Sequence, residues 1–260
     1  MVWAIVVFDI DGVIRDVGGS YRRAIADTVE RFTNGAFRPT MEDIDRLKSE
    51  GIWNNDWDAS RELTDRYWES LGRDRAETDL DYNTLVDFFQ SRYRGSNPQN
   101  WDGYITTEPL LLQLQSLETL RTNDIAWGFF SGAPRGEAEY VLKKRLGLEN
   151  PVLVAMEDAP GKPDPAGLFA AVRQLEEPAC DRLIPVVYVG DTVADMYTVE
   201  KAKTRQSDRA FVGIGVLPPH VRESDRAAAY AAKLKEAGAA IVLENVQELT
   251  RDRLEQVLNR

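Results

Sequence analysis

The sequence predicts an α/β fold, a parallel sheet flanked by helices with one long helical insert. Three observations predict it. Short apolar runs recur near residues 5–8, 125–130, 152–154, 185–189, 210–214 and 240–243. From the second run onward, amphipathic stretches separate them, which is the pattern of successive β/α units on a parallel sheet. Between the first two runs, about residues 15–105, the character changes to helical periodicity.

The first run, Val6-Val7-Phe8, leads directly into Asp9-Ile10-Asp11-Gly12. If the strand continued through these residues, Asp9 and Asp11 would project to one side of the backbone, because side-chain direction alternates with period two. At ordinary composition Asp-x-Asp-Gly recurs by accident in roughly one chain of this length in fifteen. Its weight therefore rests on the segments that follow. In the insert, Tyr21, Ile25, Thr28, Val29 and Phe32 recur at helical spacing after Ser20, and Leu63, Tyr67, Trp68 and Leu71 do so before Gly72. Gly18-Gly19 opens the insert, and Gly95-Ser96-Asn97-Pro98 with Gly103 closes it, where flexible connections are expected. Trp53-Asn54-Asn55-Asp56-Trp57 reads as a helix-to-helix loop carrying two large rings around three short polar groups. Beyond the insert, Trp127-Gly128-Phe129-Phe130 ends in Ser131-Gly132. Gly161-Lys162-Pro163 follows, and Val186-Val187-Tyr188-Val189 ends in Gly190-Asp191-Thr192, with Asp195 four beyond Asp191. Ligands of an open α/β sheet bind beyond the carboxyl ends of its strands, so these segments are expected to converge there.

Composition narrows the chemistry. A chain of 260 residues with 43% hydrophobic content can bury one large core or a core and an insert. The single Cys180 rules out an intramolecular disulfide framework, and the lone His220 removes a histidine-based triad and zinc-ligand clusters. The net charge of −11 argues against nucleic-acid partners, which need a positive surface. The first strand lacks a basic leader region, and no apolar run approaches the ~20 residues of a membrane span. The expected setting is cytoplasmic, with no membrane partner.

The ordered set of Asp9/Asp11, Ser131, Lys162 and Asp191/Asp195 resembles the haloacid dehalogenase-like hydrolase superfamily, whose members carry an aspartate nucleophile, a Ser/Thr, a Lys and an acidic pair at the ends of parallel strands. The resemblance implies a Rossmann-like core, residues 1–14 and 105–260, with an inserted all-helical cap domain, residues 15–104. It implies that Asp9 attacks phosphorus and that Asp11 protonates the leaving oxygen and then deprotonates water, a neighbouring like charge and a metal favouring a protonated Asp11 at rest. Ser131 and the Gly132 amide would hold the phosphoryl group, and Lys162 would place a point charge on its oxygens. Mg²⁺ is the expected ion, held by Asp9, the Asp11 carbonyl and Asp191, with Asp195 ligating directly or through water. The alternative for Asp191 and Asp195 is capping of the following helix.

Outside these motifs, Arg135 is a candidate for a substrate carboxylate or phosphate, or a solvated arginine at a helix start. Asp158 is a candidate for orienting Lys162. In the insert, Asn54, Asn55 and Asp56 are candidates for meeting the leaving group; the alternative is that Asp56 or Asp58 caps the next helix. The implied function is a Mg²⁺-dependent phosphatase acting on a small phosphorylated metabolite through an aspartyl-phosphate. Asp11 argues against dehalogenase chemistry. A sugar phosphomutase resembling β-phosphoglucomutase shares the same motifs but must hold a second phosphate, for which Lys48, Arg46, Arg22 and Arg23 are candidates. A scaffold that has lost catalysis is the third reading, against which the intact motif residues speak. Neither the metabolite nor the oligomeric state is written in these motifs.

Overall fold

The computed structural model describes residues 2–50, 52–53, 55–75, 80–176 and 183–259. They form two compact units, one from residues 1–16 and 109–260, the other Val17–Glu108.

In the first unit six strands form one parallel sheet: β1 (Ala4–Phe8), β2 (Ile125–Phe130), β3 (Leu153–Val154), β4 (Val186–Gly190), β5 (Phe211–Val216) and β6 (Ala239–Leu243), in the order β3-β2-β1-β4-β5-β6. All five residues of β1 are buried, as expected for a central parallel strand covered on both faces. Alternation divides them. Val6 and Phe8 pack in one cluster with Leu117, Val141 and Leu254, while Ile5 and Val7 pack in the other with Leu168, Val172 and Val199. The order reverses on either side of β1, so the crevice beyond its carboxyl end is the topological switch point at which α/β sheets bind ligands.

The second unit is helical: α1 (Tyr21–Phe32), α2 (Met41–Lys48), α3 (Asp56–Ser70) and α4 (Tyr82–Tyr93), followed by a 3-10 turn at Tyr104–Thr107. The helical spacing after Ser20 becomes α1, whose Ile25 and Val29 are fully buried. Tyr21 stacks on Tyr93 of α4 with ring centroids 4.2 Å apart. Ser20 Oγ donates to Glu108, and Tyr93 Oη donates to the same carboxylate at 3.2 Å, so a buried acid ties the two ends of this unit together.

The remaining helices belong to the sheet unit: α5 (Leu114–Thr122), α6 (Arg135–Glu139, continued as a π-helical segment, Tyr140–Arg145), α7 (Ala166–Leu175), α8 (Val193–Arg205), α9 (Pro219–Arg222), α10 (Ala227–Glu236) and α11 (Arg251–Leu258). α5, α6 and α11 cover one face of the sheet, and α7 and α8 cover the other.

Candidate active site

β1 ends at Phe8, one residue before the first carboxylate. The amides of Val13, Ile14 and Arg15 all donate to the Ile10 carbonyl, at 3.3, 2.7 and 3.2 Å, so residues 10–15 form a tight turn. The strand alternation expected to set Asp9 and Asp11 on one side therefore stops before either of them. Asp9 is aimed by the strand end and Asp11 by the turn. Gly12 makes the turn possible. Its φ is +73°, and a Cβ there would fall inside the Asp191 carboxylate.

Asp9 is 6% exposed. Its Oδ1 accepts the Ile10 amide at 2.8 Å and the Lys162 ammonium at 2.7 Å. Among the described residues no hydrogen bond engages Oδ2. Lys162 Nζ lies 2.7 Å from Asp195 Oδ1 as well, so a single ammonium bridges two acids that come from opposite sides of the sheet's switch point. The rings of Phe130 and Tyr188 flank it at 5.4 and 5.5 Å.

Asp195 is fully buried and its oxygens are filled. Oδ2 accepts from the Thr192 amide at 2.9 Å and the Thr192 hydroxyl at 2.7 Å; Oδ1 accepts from Tyr188 Oη at 3.2 Å in addition to Lys162. Thr192 and Asp195 form a capping box at the start of α8, with the Thr192 hydroxyl accepting the Asp195 amide. Capping, the alternative the sequence offers for Asp195, is realised, and the same carboxylate also pairs with Lys162. The capping box turns Asp195 so that its other oxygen meets Lys162.

Ser131 follows β2, 1% exposed. Its Oγ accepts the Ala133 amide at 3.1 Å, which leaves the hydroxyl proton to be given to an acceptor. Gly132 is exposed beside it. The strand ends thus bring Asp9, Lys162, Asp191 and Asp195 together, with Ser131 at the end of the strand that pairs with β1.

The electrostatics follow from too many acids for one base. Burial pushes the Asp9 carboxyl up to about 7, with the charges of Asp195 and Asp11 adding to it and Lys162 opposing. Burial likewise pushes Asp191 well above the carboxylate range, with Asp195 and Asp9 adding. Burial works against the Lys162 ammonium, yet Asp195 and Asp9 outweigh it and hold its pKa above the usual lysine value. Carboxylate oxygens of Asp9, Asp191 and Asp195 lie within 4.8 Å of one another. An all-oxygen set with surplus negative charge fits a hard divalent cation such as Mg²⁺. Because the Asp195 oxygens are already satisfied, Asp9 and Asp191 are the members with capacity to spare.

Other expectations are redirected. Arg135 does not stand free for a ligand: its guanidinium pairs with Asp158, reaches the Leu153 carbonyl at 3.4 Å and lies 3.5 Å from Glu139. Asp158 accordingly orients Arg135 rather than Lys162, and it also accepts the Ala155 amide at 2.7 Å. In the helical unit Asn55, not Asp56 or Asp58, is the N-cap of α3; its Oδ1 accepts the amides of Trp57 at 2.8 Å and Asp58 at 3.3 Å. Asp56 pairs with Lys48 at 2.6 Å. Asn54 lies outside the described residues.

Two site residues had escaped the motif reading. Tyr188 was read as a strand residue, although its hydroxyl in an otherwise apolar buried run is a signal that it meets a polar partner. Arg15 is the other. It is fully buried, its Nε donates to Asp11 Oδ1 at 2.6 Å, and its only trace in the sequence is a charge four residues after Asp11 within an apolar stretch.

A family profile for haloacid dehalogenase-like hydrolases matches residues 3–203. A protein of Phytophthora nicotianae named imidazoleglycerol-phosphate dehydratase is 31% identical over 244 residues, which cover 91% of this chain and 49% of that protein. The chain thus spans about half the length of the curated relative it matches. Among solved structures, a phosphonoacetaldehyde hydrolase-like protein from Oleispira antarctica superposes with a TM-score of 0.68 at 18% identity, covering 100% of this chain and 93% of the other. A phosphatase from Thermococcus thioreducens gives 0.62 at 24% identity over 81% and 92%. A hydrolase from Deinococcus radiodurans, with bound phosphate and sodium, gives 0.64 at 18% over 98% and 96%. At these identities the structural likeness speaks to the fold. Among the described residues no helix is long and apolar enough to cross a membrane.

Proposed function

The chain belongs to the haloacid dehalogenase-like hydrolase family, and from that premise we propose that it is a Mg²⁺-dependent phosphatase that hydrolyses a small phosphate monoester through an aspartyl-phosphate on Asp9. The observation that carries this reading is the bridge from Lys162 to Asp9 and Asp195, 2.7 Å to each, at the switch point of the sheet. It fixes one oxygen of Asp9 and leaves Oδ2 for attack on phosphorus. As the Asp9–phosphorus bond forms, the bond to the ester oxygen breaks and Asp11 gives that oxygen its proton. Asp11 then takes a proton from the water that displaces Asp9. Ser131 Oγ–H and the Gly132 amide donate to the phosphoryl oxygens, and Lys162 adds positive charge beside them. A Mg²⁺ ion held by Asp9, the Asp11 carbonyl and Asp191 would supply the remaining positive charge against the phosphate dianion.

A mutase must hold a second phosphate. The cations considered for it have other engagements: Lys48 with Asp56, Arg46 with Asp43 at 3.3 Å, Arg22 with Asp45, and Arg23 over the Tyr104 ring at 4.2 Å. This supports hydrolysis over phosphate relocation. On this reading the helical unit is the cap domain, and the loop around Trp53 is where substitution would alter substrate preference.

The test is phosphate release from a panel of small phosphate esters, with and without Mg²⁺, by the wild type and Asp9→Asn. The panel includes imidazoleglycerol phosphate, because the curated relative bears that compound in its name. Metal-dependent release lost in the variant is expected; no release from any ester overturns the reading.

A further inference from the structure

We infer that Arg15 is the positioning residue of Asp11, holding the proton-transfer carboxylate in the orientation that serves the leaving group. The inference rests on the phosphatase reading above and adds to it a residue outside the four motifs.

The geometry of the 10–15 turn carries it. Arg15 is the largest fully buried side chain of the protein's described residues, at 0% exposure, whereas the Asp11 side chain that it meets is 30% exposed. A guanidinium without access to water needs an anion, and Arg15 bonds to the carboxylate of Asp11. What it can do is fix the acid. Its Nε donates to Asp11 Oδ1 at 2.6 Å, a charge-assisted bond at the short end of the range. The other carboxylate oxygen is left for the leaving group.

The arginine is itself clamped by backbone. The Arg15 carbonyl accepts the Gly12 amide at 2.9 Å, and its amide donates to the Ile10 carbonyl at 3.2 Å. It bridges to Leu110 in the returning chain, beside bonds from Leu111 to Ile14 at 2.8 Å and from Asp16 to Pro109 at 2.9 Å. With the backbone of the turn tied down and the Arg15 side chain fully buried, the guanidinium has little room to move and anchors Asp11 through Oδ1. An exposed i,i+4 pair would exert no such control, because both side chains could move away into water. General acid catalysis depends on that orientation, since the proton must sit within hydrogen-bond reach of the departing oxygen.

Such a role predicts a loss that depends on the leaving group. A nitrophenolate departs with little help, whereas an alkoxide needs its proton. The experiment compares kcat and KM of the wild type, Arg15→Met, Arg15→Lys, Asp11→Asn and the Arg15→Met/Asp11→Asn double variant on 4-nitrophenyl phosphate and on an alkyl phosphate that the wild type hydrolyses. Arg15→Met is expected to lose about 10²-fold in kcat on the alkyl ester with KM nearly unchanged, and less than about 5-fold on the nitrophenyl ester. Arg15→Lys should recover part of the loss, and the double variant should be little worse than Asp11→Asn alone, because the two residues act as a unit.

Equal losses on both esters, or no loss on either, would overturn the inference even if Asp11→Asn discriminates between them. Failure of the wild type to release phosphate from any alkyl or nitrophenyl ester would overturn the phosphatase reading and the inference with it, whereas an Asp11→Asn variant that does not discriminate would leave the phosphatase reading standing and overturn the inference, because Asp11 would not be the proton donor. If Arg15→Met does not fold, Arg15→Lys carries the same comparison. Failure of both to fold would mean that the guanidinium serves the fold, which also overturns the inference.

Discussion

In the sheet unit three acids, Asp9, Asp191 and Asp195, meet one ammonium, that of Lys162. In the helical unit three glutamates, Glu50, Glu62 and Glu69, meet two guanidiniums, those of Arg66 and Arg75. The acid-to-base ratio differs modestly, but the surroundings differ greatly. Lys162 and Asp195 are 9% and 0% exposed, whereas Arg66 and Arg75 are 42% and 45% exposed. In the sheet unit burial pushes Asp9 up to about 7 and lifts Asp191 well above its usual range. In the helical unit hydrogen bonds from Arg66 and Trp53 pull Glu50 down to about 2, and those from Arg75 pull Glu69 down. Burial works against Glu62, but Arg75 and Arg66 outweigh it and its pKa is also lowered. One network is held together against its own charge and the other is relaxed. Strain of the first kind is kept where it performs chemistry.

The sharpest way to break the comparison is Asp9→Asn. Activity on any ester should fall by at least ~10³-fold, because the proposed mechanism makes Asp9 the nucleophile. Stability should move the other way. In chelator at pH 8 the variant's melting temperature should exceed that of the wild type, since a buried charge without sufficient partners has been neutralised. An unchanged or lower melting temperature would mean that the site is not strained.

Removing the base rather than an acid tests the same balance from the other side. Lys162→Met leaves Asp9 and Asp195 without their shared cation. Breaking a buried pair costs about 3–5 kcal/mol, so the metal-free variant should melt roughly 10 °C lower, and kcat/KM should fall about 10²-fold or more. Thermal melts at pH 8 with and without the substitution decide it.

The two networks also differ in how far the sequence announces them. The sheet was readable because each strand is an apolar run; all six predicted runs overlap the observed strands over most of their length, with β3, β4 and β5 each beginning one residue later than expected. That Asp9, Lys162, Asp191 and Asp195 would converge was readable because each lies at, or in the segment following, the carboxyl end of a parallel strand. Partner choice was not. Asp158 turns to Arg135, Asp195 is shared among Thr192, Tyr188 and Lys162, and Arg15 reaches Asp11, because those contacts depend on the shapes of turns. The 10–15 turn ended the strand alternation that had been extended to Asp11. In the helical unit the pairs of Arg66 with Glu50 and of Arg75 with Glu62 and Glu69 follow no helical spacing, unlike the i,i+4 pair Glu62–Arg66, and the cap of α3 fell on Asn55, one residue before Asp56.

A smaller effect is the pH dependence of the metal-free protein. Asp9 has its carboxyl raised from 3.8 to about 7 in the folded state. The folded protein therefore holds a proton that the unfolded chain releases earlier. The stability from this group is fully present below about pH 3.8 and is lost as pH rises through about 7. The lowered acids of the helical unit act in the opposite direction but below pH 4.5, outside the window between pH 5 and 8. Across that window the wild type in chelator should lose about 3 kcal/mol as pH rises. Asp9→Asn should lose less, retaining the same-sign contributions of Asp191 and of Asp65, whose carboxyl burial also raises. Denaturant titrations at pH 5 and 8 measure it, and a wild-type stability that rises across the window would refute the assignment.

The smallest effect belongs to the relaxed network. Arg66 links Glu62 and Glu50, at 2.6 and 2.7 Å, and Arg75 links Glu62 and Glu69, at 2.8 and 2.5 Å. Both cations are nearly half exposed, so water and salt already screen much of the attraction, and each pair contributes little. Arg66→Ala should lower the melting temperature by about 2–4 °C in low salt. The difference should shrink in 1 M salt, where the Debye length is about 3 Å. Turnover of the ester should remain within about 2-fold, since the acids that Arg66 pairs with, Glu50 and Glu62, belong to the helical unit and are not among the proposed catalytic groups. A loss of several kcal/mol that persists in high salt would show that Glu62, only 5% exposed, makes this network a buried one in energy as well as in position. The contrast between the two units would then rest on the surplus of acid alone.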